Sequence, residues 1–383
     1  MENNHIDWSR RQFMTTLTGA SAAIFINPFS SWVKYTIDSR VAAIVAKTIG
    51  LDTHNHIDIP SKMTELPNTK IDLLGEMKKS GLSAICMTFA VDRPKLTETG
   101  QAYERFNNGL DAMDAFLKAN KMKRCLNLKD LKTAHRKHKP TVIQSVEGGH
   151  FLEGQLERLE VAYKRGLRHL GLLHDAQPSV PIGDIYTDPP QYGGLTEFGI
   201  SIIKECNRLG ILLDLTHCSN EAINSALKVS SKPVIISHTG LDSQLGNNEK
   251  FAKMMKPRLI SKEQAKIVAN TGGVIGVWTH LADTPSEYVQ NIRAMVDVVG
   301  IDHVCIGTDT KLAKPYIPEN EKNNSKNNEK MNERTNTAWQ NTKEGFYYTI
   351  VDEMLKAGFT EDEIAKVGGD NFCRVFDAAT KSH

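Results

Sequence analysis

Eight residues with metal-competent side chains follow short apolar runs of the chain. Asp52, His54 and His56 follow the first run, Glu147 the third, His174 the fourth, His217 the fifth, His238 the sixth and Asp309 the eighth. Several imidazoles with a few carboxylates form the ligand set expected of zinc or a similar divalent ion, and Glu147 is able to bridge two ions. Residues 54 and 56 are two apart, so in an extended segment their side chains project to one face, as two ligands of one ion must. A single histidine at a strand end is more readily explained by packing or a hydrogen bond. Eight such residues at the ends of six runs are not, because burying that many polar groups is costly unless something pairs them. His150, His169 and His280 lack this placement and His303 precedes its run, so these four read as structural.

The runs that would position these residues are 49–51, 84–89, 142–146, 169–173, 211–215, 234–236, 274–277 and 304–307. Runs of strand length alternating with amphipathic helices imply parallel βα units, buried on both faces. Eight units predict a closed (β/α)8 TIM barrel forming a single domain, with all the strand ends converging on one rim. Between the runs, residues 196–208 place Phe198, Ile202 and Ile203 at helical spacing, and Thr360 with Glu363 forms a capping box before Ile364. A doubly wound two-domain protein is the alternative, but no glycine-rich dinucleotide fingerprint follows an early strand.

The chain has 383 residues, 40% hydrophobic and 24% charged, and its 47 Lys and Arg against 45 Asp and Glu leave a net charge of +2. That balance suits a globular protein and argues against a nucleic-acid or anionic-membrane partner, so a small-molecule substrate is expected. Near the start, Ser9-Arg10-Arg11-Gln12-Phe13-Met14 precedes a mildly apolar run, 15–26, too short to span a bilayer comfortably. The segment resembles a twin-arginine export signal. Residues 1–35 are therefore expected to engage the twin-arginine export machinery, leaving a 36–383 body in the bacterial periplasm with no membrane span. The plainer alternative is an amphipathic helix with two chance arginines. Six cysteines without a CxxC pair read as buried free thiols. Cys218 follows His217 directly and in a strand would face away, and no G-x-S-x-G elbow is present, so serine or cysteine nucleophiles are not favoured. Residues 318–337, dense in Asn, Lys and Glu, read as a solvated insertion, with a lid over the site as the sharper alternative.

From Leu51 to Phe376 the sequence resembles the membrane dipeptidase (renal dipeptidase) family of zinc peptidases. The likeness runs through Asp52-Thr53-His54-Asn55, Ser145-Val146-Glu147-Gly148-Gly149, Gly194-Leu195-Thr196-Glu197-Phe198-Gly199, Asn207-Arg208-Leu209-Gly210, Asp214-Leu215-Thr216-His217, Ile236-Ser237-His238, Ile306-Gly307-Thr308-Asp309 and Gly369-Asp370-Asn371-Phe372. The resemblance implies a (β/α)8 barrel that hydrolyses dipeptides with a hydroxide shared by two zinc ions. It implies His54 and His56 as ligands of one ion, His217 and His238 of the other, and Glu147 as the bridge. It makes Asp309 the acid/base carboxylate, His174 a substrate-binding histidine near the scissile carbonyl, and Arg258 the group that holds the substrate carboxylate. Two departures stand out. His56 occupies a position where the family usually has Asp, a neutral ligand that would leave the ion more electropositive. Thr310-Lys311-Leu312 replaces the usual Phe-Asp-Gly after Asp309. Open beside the dipeptidase are an amidohydrolase of the same shape acting on another small amide, lactone or D-amino-acid derivative, and a non-catalytic binding protein. Pairing into a homodimer also stays open.

Overall fold

Eight parallel strands close into a barrel in chain order: β1 Leu51–His56, β2 Ala84–Ala90, β3 Thr141–Glu147, β4 Leu167–Gly171, β5 Leu212–Asp214, β6 Ile235–Thr239, β7 Val274–Val277 and β8 Val304–Ile306. Closure is made where Asp52 of β1 pairs with Ile306 of β8. The computed structural model describes residues 37–58, 71–313, 334–339 and 344–381. Residues 1–35, expected from the sequence to be an export signal, lie outside them. Among the described residues no helix is long and apolar enough to cross a membrane.

The strands are short and buried along almost their whole length, as crossover helices on the outside require. Between them, helices start and stop on local chemistry. Thr196 caps the helix Glu197–Leu209 by accepting from the Gly199 N–H, and Gly210, at φ 87°, ends it in the left-handed region. The expected capping box forms at Thr360 and Glu363, each side chain meeting the other's backbone N–H. The core has two main parts. One lies between strands and helices, around Met87, Phe106, Phe151, Ile202 and Ile292. The other joins Leu51, Ile143, Leu212, Ile235 and Val274 to Phe372 and Phe376 of the last helix, Asn371–Thr380, which therefore packs against the strand residues farthest from the functional rim. All six cysteines are buried and free.

Strand bounds differ from the sequence expectation where polar residues are themselves buried. β1 runs through His54 and His56, β3 includes Glu147, and β6 includes His238, so these side chains sit on strands instead of after them. An apolar pattern ends at the first polar residue, whereas ladder hydrogen bonds continue. In β4 the strand begins two residues earlier than expected and leaves His174 three residues beyond its end. The end of the supposed solvated insertion is also different. Thr335 and Asn336 are buried, because Thr335 Oγ1 meets Asn55 Nδ2 at 2.9 Å and Thr310 Oγ1 at 2.7 Å, while Asn336 Nδ2 donates to the Glu76 carbonyl at 3.0 Å. Residues 318–333 of that stretch lie outside the described residues.

Candidate active site

Glu147, at the end of β3 and 3% exposed, is the centre of the rim. Its Oε1 lies 2.9 Å from His217 Nε2, 3.4 Å from His54 Nε2 and 3.8 Å from His238 Nε2, and its Oε2 lies 3.2 Å from His174 Nε2 and 3.8 Å from His56 Nε2. Asp309 closes the other side, with Oδ1 3.0 Å from His56 Nε2 and 3.9 Å from His54 Nε2. The structure thus brings His54, His56, Glu147, His174, His217, His238 and Asp309 into one group. Three ligand-competent clusters arise within it: His54, Glu147 and His238; His54, His56 and Asp309; Glu147, His174 and His217. His217 and Asp309 take left-handed φ of 68° and 54°, a strained backbone that residues other than glycine keep mainly where the surroundings over-determine it.

Below this layer a hydroxyl orients two of the rings. Ser237 Oγ donates to Asp214 Oδ2 at 2.6 Å, so it is left to accept from His238 Nδ1 at 3.0 Å and His54 Nδ1 at 3.3 Å. Both imidazoles then present bare Nε2 lone pairs towards the Glu147 carboxylate. Burial holds both neutral: His54 is driven well below the ordinary imidazole value, helped by His238, and His238 is lowered to about 4. The Nε2 lone pairs of His54 and His238 thus face a carboxylate whose Oε2 is buried and lacks a hydrogen-bond partner. Divalent cations fit such a set of nitrogen and carboxylate donors.

The remaining rings are tuned the opposite way. Burial opposes charge on His56 and His217, but Asp309 and Glu147 outweigh it at His56, raised to about 9, and Asp175 and Glu147 outweigh it at His217, raised to about 10. Glu147 and Asp309 are held well below the usual carboxylate range because the imidazoles around them overcome the cost of burial.

A cleft of about 890 Å³ opens over these groups, with Arg93, Arg105, Asp175, Tyr186, Met255, Arg258, Trp278 and Lys311 in its walls. Arg258 stands in the turn Lys256–Arg258, 3.1 Å from Asp175 Oδ2 and with its guanidinium 5.4 Å from the centre of the Tyr186 ring. Lys311, also in the wall, reaches Asp58 Oδ1 at 3.0 Å.

Asp52 does not join the ligand group. It is fully buried below it, accepting from the Thr308 N–H at 2.8 Å, Thr308 Oγ1 at 2.7 Å and Asn55 Nδ2 at 2.8 Å, with burial raising its carboxyl to about 6. His150, His169 and His303 stay structural, bonded to the Ala176 carbonyl, Ser145 Oγ and the Gly273 carbonyl. His280 does not: its Nε2 lies 2.8 Å from Asp309 Oδ2, so Asp309 is held between two imidazoles. Asp92, which holds His174 Nδ1 at 2.7 Å, and the pair Asp175 and Tyr186 were also missed. A positional signal existed for two of them. Strand ends two and seven carry no candidate in the apolar-run pattern, and Asp92 and His280 follow those ends by two and three positions.

Solved structures with the same architecture include an amidohydrolase from Pseudomonas aeruginosa, 24% identical, with a TM-score of 0.70 over 88% of this chain and 98% of that one. A probable dipeptidase from the same organism is 16% identical, with a TM-score of 0.71 over 89% and 98%. A metallo peptidase from Rhodobacter sphaeroides is 18% identical, with a TM-score of 0.64 over 87% and 99%. These likenesses establish the shared barrel. The family model described as membrane dipeptidase (peptidase family M19) matches residues 38–343, a span that contains every ligand-competent residue described above. A barrel rim built around Glu147 and a matched span of that extent agree, and the chain belongs to the membrane dipeptidase family.

Proposed function

We propose that the protein is a metal-dependent dipeptidase that works with two divalent ions, zinc being the expected metal. The observation that carries this is the buried Glu147 carboxylate facing the Nε2 lone pairs of His54 and His238. His54 and His56 would hold one ion, His217 and His238 the other, and Glu147 both. Such ions, when bound, acidify water and polarise a carbonyl oxygen.

The chain's own groups supply the rest. Asp309, with one oxygen on His56 and the other on His280, faces the cleft as the base that takes a proton from the attacking water and passes it to the leaving amine. His174, fixed through Nδ1 by Asp92, directs Nε2 to the reacting carbonyl and holds it in place. Arg258 lines the cleft and would hold the free carboxylate of the substrate.

The test is elemental analysis of the purified chain with assays of L-Ala-L-Ala, L-Ala-D-Ala and an N-acyl amino acid, each with and without chelator. The D-isomer belongs in the panel because the Rhodobacter sphaeroides metallo peptidase is liganded with a phosphinate mimic of dipeptide L-Ala-D-Ala. About two divalent ions per chain and chelator-sensitive cleavage of dipeptides are expected. Cleavage of the N-acyl amino acid alone would favour the amidohydrolase alternative, which His56 in place of the family's usual Asp keeps in view. Arg258→Ala should raise KM for dipeptides with a free carboxylate; an equal rise for amidated substrates would contradict its role. Residues 1–35 are proposed to direct twin-arginine export to the periplasm, which a reporter fusion with Arg10 and Arg11 changed to Lys would test.

A further inference from the structure

We propose that Asp175 is a positioning residue that serves the metal centre and the substrate-carboxylate site at once. The proposal rests on the dipeptidase reading. Asp175 follows His174 beyond β4, and its carboxylate divides its contacts between two groups of partners. Oδ1 accepts the Tyr186 hydroxyl at 2.6 Å and lies 3.3 Å from His217 Nδ1. Oδ2 receives Arg93 Nη2 at 2.6 Å and Arg258 Nη2 at 3.1 Å.

On the metal side, the Tyr186 hydroxyl spends its only proton on Asp175, so its oxygen is left to accept from His217 Nδ1 at 3.1 Å. Nδ1 therefore keeps its proton, and Nε2, 2.9 Å from Glu147, is the atom left to bind an ion. Partners of this kind orient ligating imidazoles, and their loss typically weakens metal binding by about 10–100-fold.

On the substrate side, Asp175 neutralises one of two guanidinium charges. Arg258 is partly buried in the cleft wall, while the Arg93 side chain is 68% exposed at its edge. Two arginines and one aspartate leave a single positive charge, which suits a substrate with one carboxylate. Without the aspartate the second guanidinium is released, and a C-terminal residue bearing its own side-chain carboxylate gains. The expected gain is about fivefold, the worth of one additional contact between unit charges in water.

The experiment uses the purified full chain with Zn2+ as the probe. Apparent zinc affinity is measured by competition with a chromophoric chelator, and selectivity as the ratio of kcat/KM for Ala-Glu over Ala-Gln. Asp175→Asn should weaken zinc binding about 10–100-fold and raise the ratio about fivefold. Tyr186→Phe should weaken zinc binding and leave the ratio, whereas Arg93→Gln should lower the ratio and leave zinc binding. A folded Asp175→Asn protein in which either quantity equals the wild-type value overturns the joint role. If Asp175→Asn does not fold, the other two variants decide, and wild-type zinc binding in Tyr186→Phe or a wild-type ratio in Arg93→Gln overturns it. A wild-type chain that takes up no zinc and cleaves neither substrate overturns the dipeptidase proposal itself, a result distinguishable from the others.

Discussion

Glu147 pairs a buried negative charge with two imidazoles, His54 and His238, that point lone pairs at it, and replacing that charge tests the centre most directly. Glu147→Gln keeps the shape and removes the charge. Metal affinity should fall by more than about 100-fold, beyond the loss typical of an outer partner, as read by elemental analysis and chelator competition. Asp309 tests the chemistry separately from the metal. Asp309→Asn should keep wild-type metal content and lose about 10²–10⁴-fold in kcat, the usual contribution of a general acid or base; full turnover would remove its assigned role. At this scale residue type was legible, because His, Glu and Asp beside strand ends are rare enough to notice. The partner of each ring was not. His280 became part of the site only because β7 and β8 are neighbours and place it against Asp309.

The longest connection described here, between β4 and the helix Glu197–Leu209, carries His174, Asp175 and Tyr186, and Asp184 holds it together. Its carboxylate accepts the N–H groups of Gln191 at 2.7 Å, Tyr192 at 3.0 Å and Gly194 at 2.8 Å, while the Asp184 backbone carbonyl accepts the Ser219 N–H at 2.9 Å. Burial alone would raise its pKa, but these donors outweigh it and hold the carboxyl below the usual value. A depressed carboxyl contributes stability that is present above the unfolded value of about 3.9 and lost as pH falls through the folded value. Asp184→Asn should therefore lower the urea midpoint at pH 7, by about 1.5–3 kcal/mol in stability, and flatten the loss of stability below about pH 4. A pH profile of stability unchanged from wild type would contradict this account. The loop itself was invisible to periodicity, since its polar contacts follow no helical or strand repeat.

Across the whole molecule, barrel closure depends on close approach of backbones under the metal-binding layer. Thr53 Oγ1 donates to the Ser237 carbonyl at 2.7 Å, and a Cβ on Gly276 or Gly307 would come within 1.9 Å or 1.8 Å of that same carbonyl oxygen. Neither neighbour is a flexible side-chain end, so backbone must move. Gly307→Ala should destabilise the fold by about 1–3 kcal/mol and weaken metal binding with it, because Ser237 orients His54 and His238. Thermal unfolding and chelator titration of the variant check both, and a stable variant with normal metal affinity would show that the contact tolerates a methyl group.

Strand number, barrel class and most ligand-competent residues could be read from linear pattern, because burial on both faces writes a continuous apolar run and because polar residues at its end are exceptional. What only closure of the barrel decided is which atoms meet. Glu147 collects rings from β1 and β6 and from beyond β4 and β5, Ser237 selects the tautomers of two of them, and Asp175 draws together residues 93, 186, 217 and 258. Those pairings depend on ångström-scale distances between segments remote in the chain, and no local repeat in the amino-acid order encodes such distances.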